Sequence, residues 1–301
     1  MPTLPRTLKY FVADVFTAAP LQGNPLAVVM NTADLATDQM QAIAREFNLS
    51  ETAFVERRAP DVERLEGVRV RIFTTEEELP FAGHPTLGTA SVLKQTSPET
   101  VRDGVVMLHE NVGPIPVRFE PGDSLFGEMT QRDPEFGAEL DAGEVARLCG
   151  LGVEDLDGDH APQLVSTGNA FAIVLLKSVE ALGRLNVRQK EATEWLRARG
   201  GRWFYVMARA KPDGEAHWRA RMQFNGGEDP ATGSAAGCAI AYLVAHGLAR
   251  SEERIRVRQG TEIGRPSELF LTASVTENAR VTRVRVAGSS AIVAVGTLFL
   301  P

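Results

Sequence analysis

Gly23-Asn24-Pro25-Leu26-Ala27-Val28-Val29 and Gly168-Asn169-Ala170-Phe171-Ala172-Ile173-Val174 are one motif written twice, and so are His84-Pro85-Thr86-Leu87-Gly88-Thr89-Ala90 and Asp229-Pro230-Ala231-Thr232-Gly233-Ser234-Ala235. Both pairs stand 145 residues apart, 168 − 23 and 229 − 84, close to half of the 301-residue chain. Two matches at one offset indicate a duplicated domain. In each copy a Gly-Asn pair enters an apolar strand-like run, and a His-Pro or Asp-Pro pair precedes a run of helical type. A capping-type residue followed by proline reads as a helix start, because proline at the first helical position gives up an N–H that lacks an intrahelical partner anyway. His84 and Asp229 are therefore expected at equivalent helix starts facing a shared cleft. Gly88-Thr89 and Gly233-Ser234 are then expected in the first turn, where a carboxylate meets free N–H groups carrying roughly half a positive charge.

Outward from these motifs, alternation and β-branched runs predict strands at 7–16, 25–30, 52–57 and 68–73, with a hairpin over 104–119. Further strands are expected at 124–129, 170–176, 203–208, 218–224, 254–258, 269–275, 281–286 and 291–298. Helical periodicity covers 38–47, 85–95, 143–149, 188–199 and 230–246. Long βαβ alternation is missing, so the expected class is α+β with mostly antiparallel strands. The expected domains are 1–119 and 120–301, with Glu120–Gly122 as a candidate linker and the last strand a candidate to return to the first domain.

Hydrophobic residues make up 44% and charged residues 24% of the chain, the balance of a globular protein. Its 32 Lys+Arg against 39 Asp+Glu leave a net charge of −7, which lacks the basic footprint of a nucleic-acid binder. No signal-type apolar region opens the sequence, and the small-apolar run 234–245 falls short of the ~20 residues a membrane helix needs. Two cysteines, Cys149 and Cys238, are too few for a disulfide framework. A cytoplasmic protein without membrane or nucleic-acid partners is expected.

For a lone Asp-Pro, capping is the plainer reading. Matched positions carrying His84 and Asp229 favour two-sided proton transfer instead. The Gly-rich stretch 226–234 lacks the Lys of a phosphate-binding loop, which argues against a nucleotide site. His109, His160, His217 and His246 show no metal-ligand spacing, so no metal is expected. Glu51, between a helical segment and the strand 52–57, would in isolation be a solvated carboxylate.

The stretches DVFTAAPLQGNPLAVV (14–29), MQAIAREFNLSETAFV (40–55), ELPFAGHPTLGTA (78–90), GNAFAIV (168–174), EDPATGSAAGCAIAYL (228–243) and QGTEIGRPSEL (259–269) resemble the PhzF-like isomerases of phenazine biosynthesis, members of the diaminopimelate epimerase-like fold. The resemblance spans nearly the whole chain. It implies two similar domains, each a β-barrel-like sheet around a central helix, and a homodimer. It implies Glu51, His84 and Asp229 as catalytic residues, with Gly83, Gly233 and Ser234 binding a small carboxylated metabolite. The reaction it implies is cofactor-free proton movement on a substrate resembling trans-2,3-dihydro-3-hydroxyanthranilate. Related epimerases carry a cysteine at each helix start. Cys149 and Cys238 lie elsewhere, which disfavours a two-thiol mechanism. A non-catalytic, anion-binding or regulatory member of the fold is the alternative; it would need the helix N-termini but not three titratable groups.

Overall fold

A helix that is apolar or small on every face is stable only when it is surrounded, and the segment around His84 forms such a helix. In the computed structural model, which describes residues 6–210, 216–224 and 226–300, this helix is Gly83–Thr96, and every residue from Gly83 to Leu93 is buried. The chain divides into two units, Met1–Met129 with Gly288–Pro301 and Thr130–Ala287.

In the first unit the helix packs on strands Arg6–Val15, Asn24–Met30, Val105–Glu110, Gly113–Phe119 and Ser290–Leu300. Arg6–Val15 pairs antiparallel with both Asn24–Met30 and Ser290–Leu300. Asn24–Met30 runs parallel to Thr52–Glu56, which pairs antiparallel with Val68–Phe73. The hairpin expected over 104–119 forms from Val105–Glu110 and Gly113–Phe119. The opposite face of the sheet is covered by Thr37–Phe47, which buries Met40, Ile43 and Ala44 against Leu8, Val29, Phe54 and Phe73. Each large side chain buried there stabilises the fold by about 1.5–3 kcal/mol.

The second unit repeats the plan. Its helix Gly233–Ala245 is buried from Gly233 through Val244 and packs on Gln163–Ser166, Ala170–Leu176 and Ser267–Val275. The outer face is closed by Ala142–Cys149, Val179–Gly183 and Gln189–Arg197, whose Leu148, Leu182 and Leu196 share a buried cluster with Val174, Phe204 and Val206 of the sheet. Antiparallel pairing dominates, as expected for α+β, with parallel neighbours at Ala170–Leu176/Trp203–Arg209 and Trp218–Arg221/Ile255–Gln259.

Several expectations are corrected. The strand over 218–224 breaks at Met222, and Gln223–Phe224 then pairs with Gly227–Glu228. The physical cause is local: the Met222 carbonyl leaves the ladder to accept the Asp229 N–H at 2.8 Å. Glu135–Glu139, exposed along its length, forms a strand that no hydrophobic alternation announces. Neither proline opens its helix. Pro85 is the third residue of Gly83–Thr96, and Gly233–Ala245 begins beyond Pro230. The cap positions are Ala82 and Thr232, and neither makes a side-chain cap bond. Among the described residues no helix is long and apolar enough to cross a membrane.

Candidate active site

In the first unit the helix Thr37–Phe47 ends at Asn48 in the left-handed region (φ 52°), and the chain turns through Glu51 into strand Thr52–Glu56. Glu51 Oε2 thereby lies 3.6 Å from His84 Nδ1, the Glu51 side chain being 14% exposed and that of His84 4%. Gly83 is the first helical residue and is buried. Asn24, fully buried where the first Gly-Asn motif enters its strand, places Nδ2 3.2 Å from the same His84 Nδ1. Burial pushes the His84 pKa down to about 3, so the ring is neutral. With the Asn24 amide donating to Nδ1, the ring proton resides on Nε2. That buried Nε2 has no partner among the described residues.

Below the helix start, the Thr86 hydroxyl lies 2.7 Å from the Ala82 carbonyl and 2.6 Å from Glu110 Oε1. Burial pushes the Glu110 pKa up to about 8. A hydroxyl has a single proton, so a protonated Glu110 donating to Thr86, which donates to Ala82, satisfies the whole chain.

Gly88 and Thr89 are both buried within this helix. They lie beyond the first turn, and a Cβ on Gly88 would stand 2.7 Å from Val15 Cγ2 and Leu26 Cδ2. That glycine lets the helix seat against the sheet.

In the second unit Asp229 is 5% exposed. It precedes the helix without capping it; Oδ2 accepts from Thr232 Oγ1 at 2.7 Å and its carbonyl accepts from Gln259 Nε2 at 2.8 Å. Ser234 is the second helical residue and is 8% exposed. The Gly233 carbonyl accepts from Gln131 Nε2 at 2.9 Å, and Gln131 Oε1 accepts from Thr167 at 2.7 Å. The N–H groups of this helix's first turn have no intrahelical acceptor and are suited to an anion.

Glu51, Gly83 and His84 thus assemble in one unit, and Asp229, Gly233 and Ser234 in the other. Asn24, Thr232 and Gln259 were not singled out as site residues, although each lies in a motif quoted above; spacing along the chain carries no information on side-chain partners. Both cysteines are buried, and burial pushes Cys149 up to about 12 and Cys238 up to about 11. Neither stands at a helix start. Among the described residues no His/Cys/Asp/Glu group suited to a metal occurs.

A family profile described as "Phenazine biosynthesis-like protein" (PhzC-PhzF) matches residues 13–296. The chain is 36% identical to an uncharacterized isomerase of Mesorhizobium japonicum, over 98% of this chain and 100% of that protein. It is 35% identical to the trans-2,3-dihydro-3-hydroxyanthranilate isomerase of Pseudomonas aeruginosa, over 97% of this chain and 99% of that enzyme. A crystal structure of the Bacillus anthracis phenazine biosynthesis protein of the PhzF family superposes with a TM-score of 0.85 at 25% identity, covering 98% of this chain and 100% of that one.

Proposed function

The chain belongs to the phenazine biosynthesis-like (PhzC-PhzF) family and is an isomerase, and from that premise we propose that it moves a proton on a small carboxylated substrate, trans-2,3-dihydro-3-hydroxyanthranilate or a close analogue, without a cofactor. The observation that carries this reading is the approach of the partly buried Glu51 to the buried His84 at 3.6 Å, with an unpartnered His84 Nε2.

In this mechanism Glu51 is the proton shuttle. It takes a proton beside the conjugated ring and returns it at another carbon, so no electrons leave the substrate and no co-reactant is consumed. The neutral His84 donates through Nε2 to a substrate oxygen and stands beside the Glu51 carboxyl that accepts the substrate's proton. Asp229, held as an acceptor, binds the substrate amine. The main chain at Gly83 and Gly233 and the Ser234 hydroxyl bind the carboxylate, on which charge builds during proton abstraction.

Turnover of trans-2,3-dihydro-3-hydroxyanthranilate by purified protein, with no additive, tests the reading. Glu51→Gln preserves shape and removes the base; it is expected to lower kcat by about 10²–10⁴-fold with little effect on KM. Full turnover by this variant would refute Glu51 as the shuttle.

A further inference from the structure

The stretch QGTEIGRPSEL (259–269) carries no residue of the mechanism above, yet its first side chain is among the most completely bonded in the molecule. Gln259 is fully buried. Its Nε2 donates to the Asp229 carbonyl at 2.8 Å and to Thr232 Oγ1 at 2.9 Å. Its Oε1 accepts from the Thr232 N–H and the Tyr205 hydroxyl, each at 3.1 Å.

The directions of these bonds are forced. A carbonyl only accepts, so the amide nitrogen must face Asp229; a backbone N–H only donates, so the amide oxygen must face Thr232. Thr232 Oγ1 already accepts from Gln259, and its proton therefore goes to Asp229 Oδ2 at 2.7 Å. Flipping the Gln259 amide would set donor against donor at Thr232 N–H and acceptor against acceptor at Asp229. The backbone is locked as well. Gly260 has φ +76°, and a Cβ there would lie 2.3 Å from the Arg265 carbonyl oxygen and 2.6 Å from that of Pro230. The end of strand Ile255–Gln259 is thus pressed onto the Asp229-Pro230 segment.

We propose that Gln259, Thr232 and Tyr205 are positioning residues that fix the Asp229 carboxyl in one orientation with Oδ2 held as a hydrogen-bond acceptor. The consequence rests on the reading of Asp229 as a substrate-binding group: a carboxyl stabilised in its ionised form is ready for an amine and resists drawing the proton that Glu51 must carry. Tyr205 is pushed up by burial first and then by the negative charge of Asp229, Cys238 is pushed up by burial, and Glu228 is paired with Arg221 at 2.6 Å.

The test compares Thr232→Val, which removes the hydroxyl at nearly equal volume, with Thr232→Ser, which keeps it. Two readouts are taken: kcat and KM on trans-2,3-dihydro-3-hydroxyanthranilate, and titration of the ¹³C-labelled Asp229 carboxyl by NMR, assigned with Asp229→Asn. The valine variant is expected to raise the Asp229 pKa by about one unit and to lower kcat by about tenfold, the worth of one hydrogen bond to a charged group. The serine variant should restore both. If the valine variant fails to fold, Thr232→Ala takes its place. A folded variant without the hydroxyl that titrates and turns over like wild type overturns the proposal, and so does a folded serine variant as impaired as valine. Wild type inert toward this substrate would refute the functional reading, while the titration would still decide the positioning role.

Discussion

Glu110→Gln should make this protein more stable, by an amount that grows with pH. Glu110 is 1% exposed and its pKa is raised from 4.5 to about 8, chiefly by burial and against the pull of Arg69. In the unfolded chain the carboxyl ionises near pH 4.5; in the folded chain it keeps its proton until about pH 8. Between those values the unfolded state binds fewer protons than the folded one, so stability is greatest below pH 4.5, falls as pH rises, and levels off above pH 8. Each unit of that interval withdraws about 1.4 kcal/mol. The cost is thus about 1 kcal/mol at pH 5 and about 3 kcal/mol at pH 7. Gln is nearly isosteric, donates through Nε2 to Thr86 as the protonated acid does, and never ionises. Urea denaturation of both proteins at pH 5, 6, 7 and 8 measures the difference, which should widen by about 2–3 kcal/mol from pH 5 to pH 7. A difference independent of pH, or a variant that loses stability relative to wild type as pH rises, would refute the assignment of Glu110 as a buried neutral acid.

Gly237→Ala should destabilise the second unit despite the better helix propensity of alanine, worth about 1 kcal/mol. Its Cβ would stand 1.9 Å from Gln131 Oε1; evicting Gln131 breaks its buried bonds to Gly233 and Thr167, and a net loss of about 1–2 kcal/mol in urea is expected. A rise in the urea midpoint would contradict this. Replacing both Cys149 and Cys238 with Ala should leave kcat within about twofold, since a general acid–base group is worth far more; a folded, stable, inactive double variant would revive a two-thiol mechanism.

The two buried helices were legible as helices from apolar periodicity after the His-Pro and Asp-Pro pairs, and their central place was implied by the family resemblance; a run such as Gly233–Val244, small or apolar on every side, has to be enclosed. Most strands were legible for a similar reason, through alternation set by one buried face. Glu135–Glu139 was not: it is exposed and pairs with Gln163–Ser166 through its backbone, and backbone pairing leaves no mark on side-chain pattern. The helix starts were misplaced for a related reason. Asp-Pro is a sound local start signal, but Asp229 is held outside the helix by Met222 and Gln259, partners that local propensity does not include.

Apart from Glu51, which only the family resemblance marked, what the sequence determined by itself was the set of chemical groups and their repetition: His84 and Asp229, the Gly-Asn strand entries, and an α+β plan written twice. These follow from residue type and period, which are properties of neighbours along the chain. Only the tertiary structure decided which groups meet. It brought Asn24 to His84 Nδ1, placed Glu110 beneath Thr86, and closed Gln259 over Asp229 and Thr232. It also assigned Gly88 to packing against Val15 and Leu26 rather than to a ligand. The physical reason is that burial and hydrogen-bond direction depend on atoms brought together from distant parts of the chain. Those two quantities set whether a carboxyl or an imidazole is charged, and therefore what it can do.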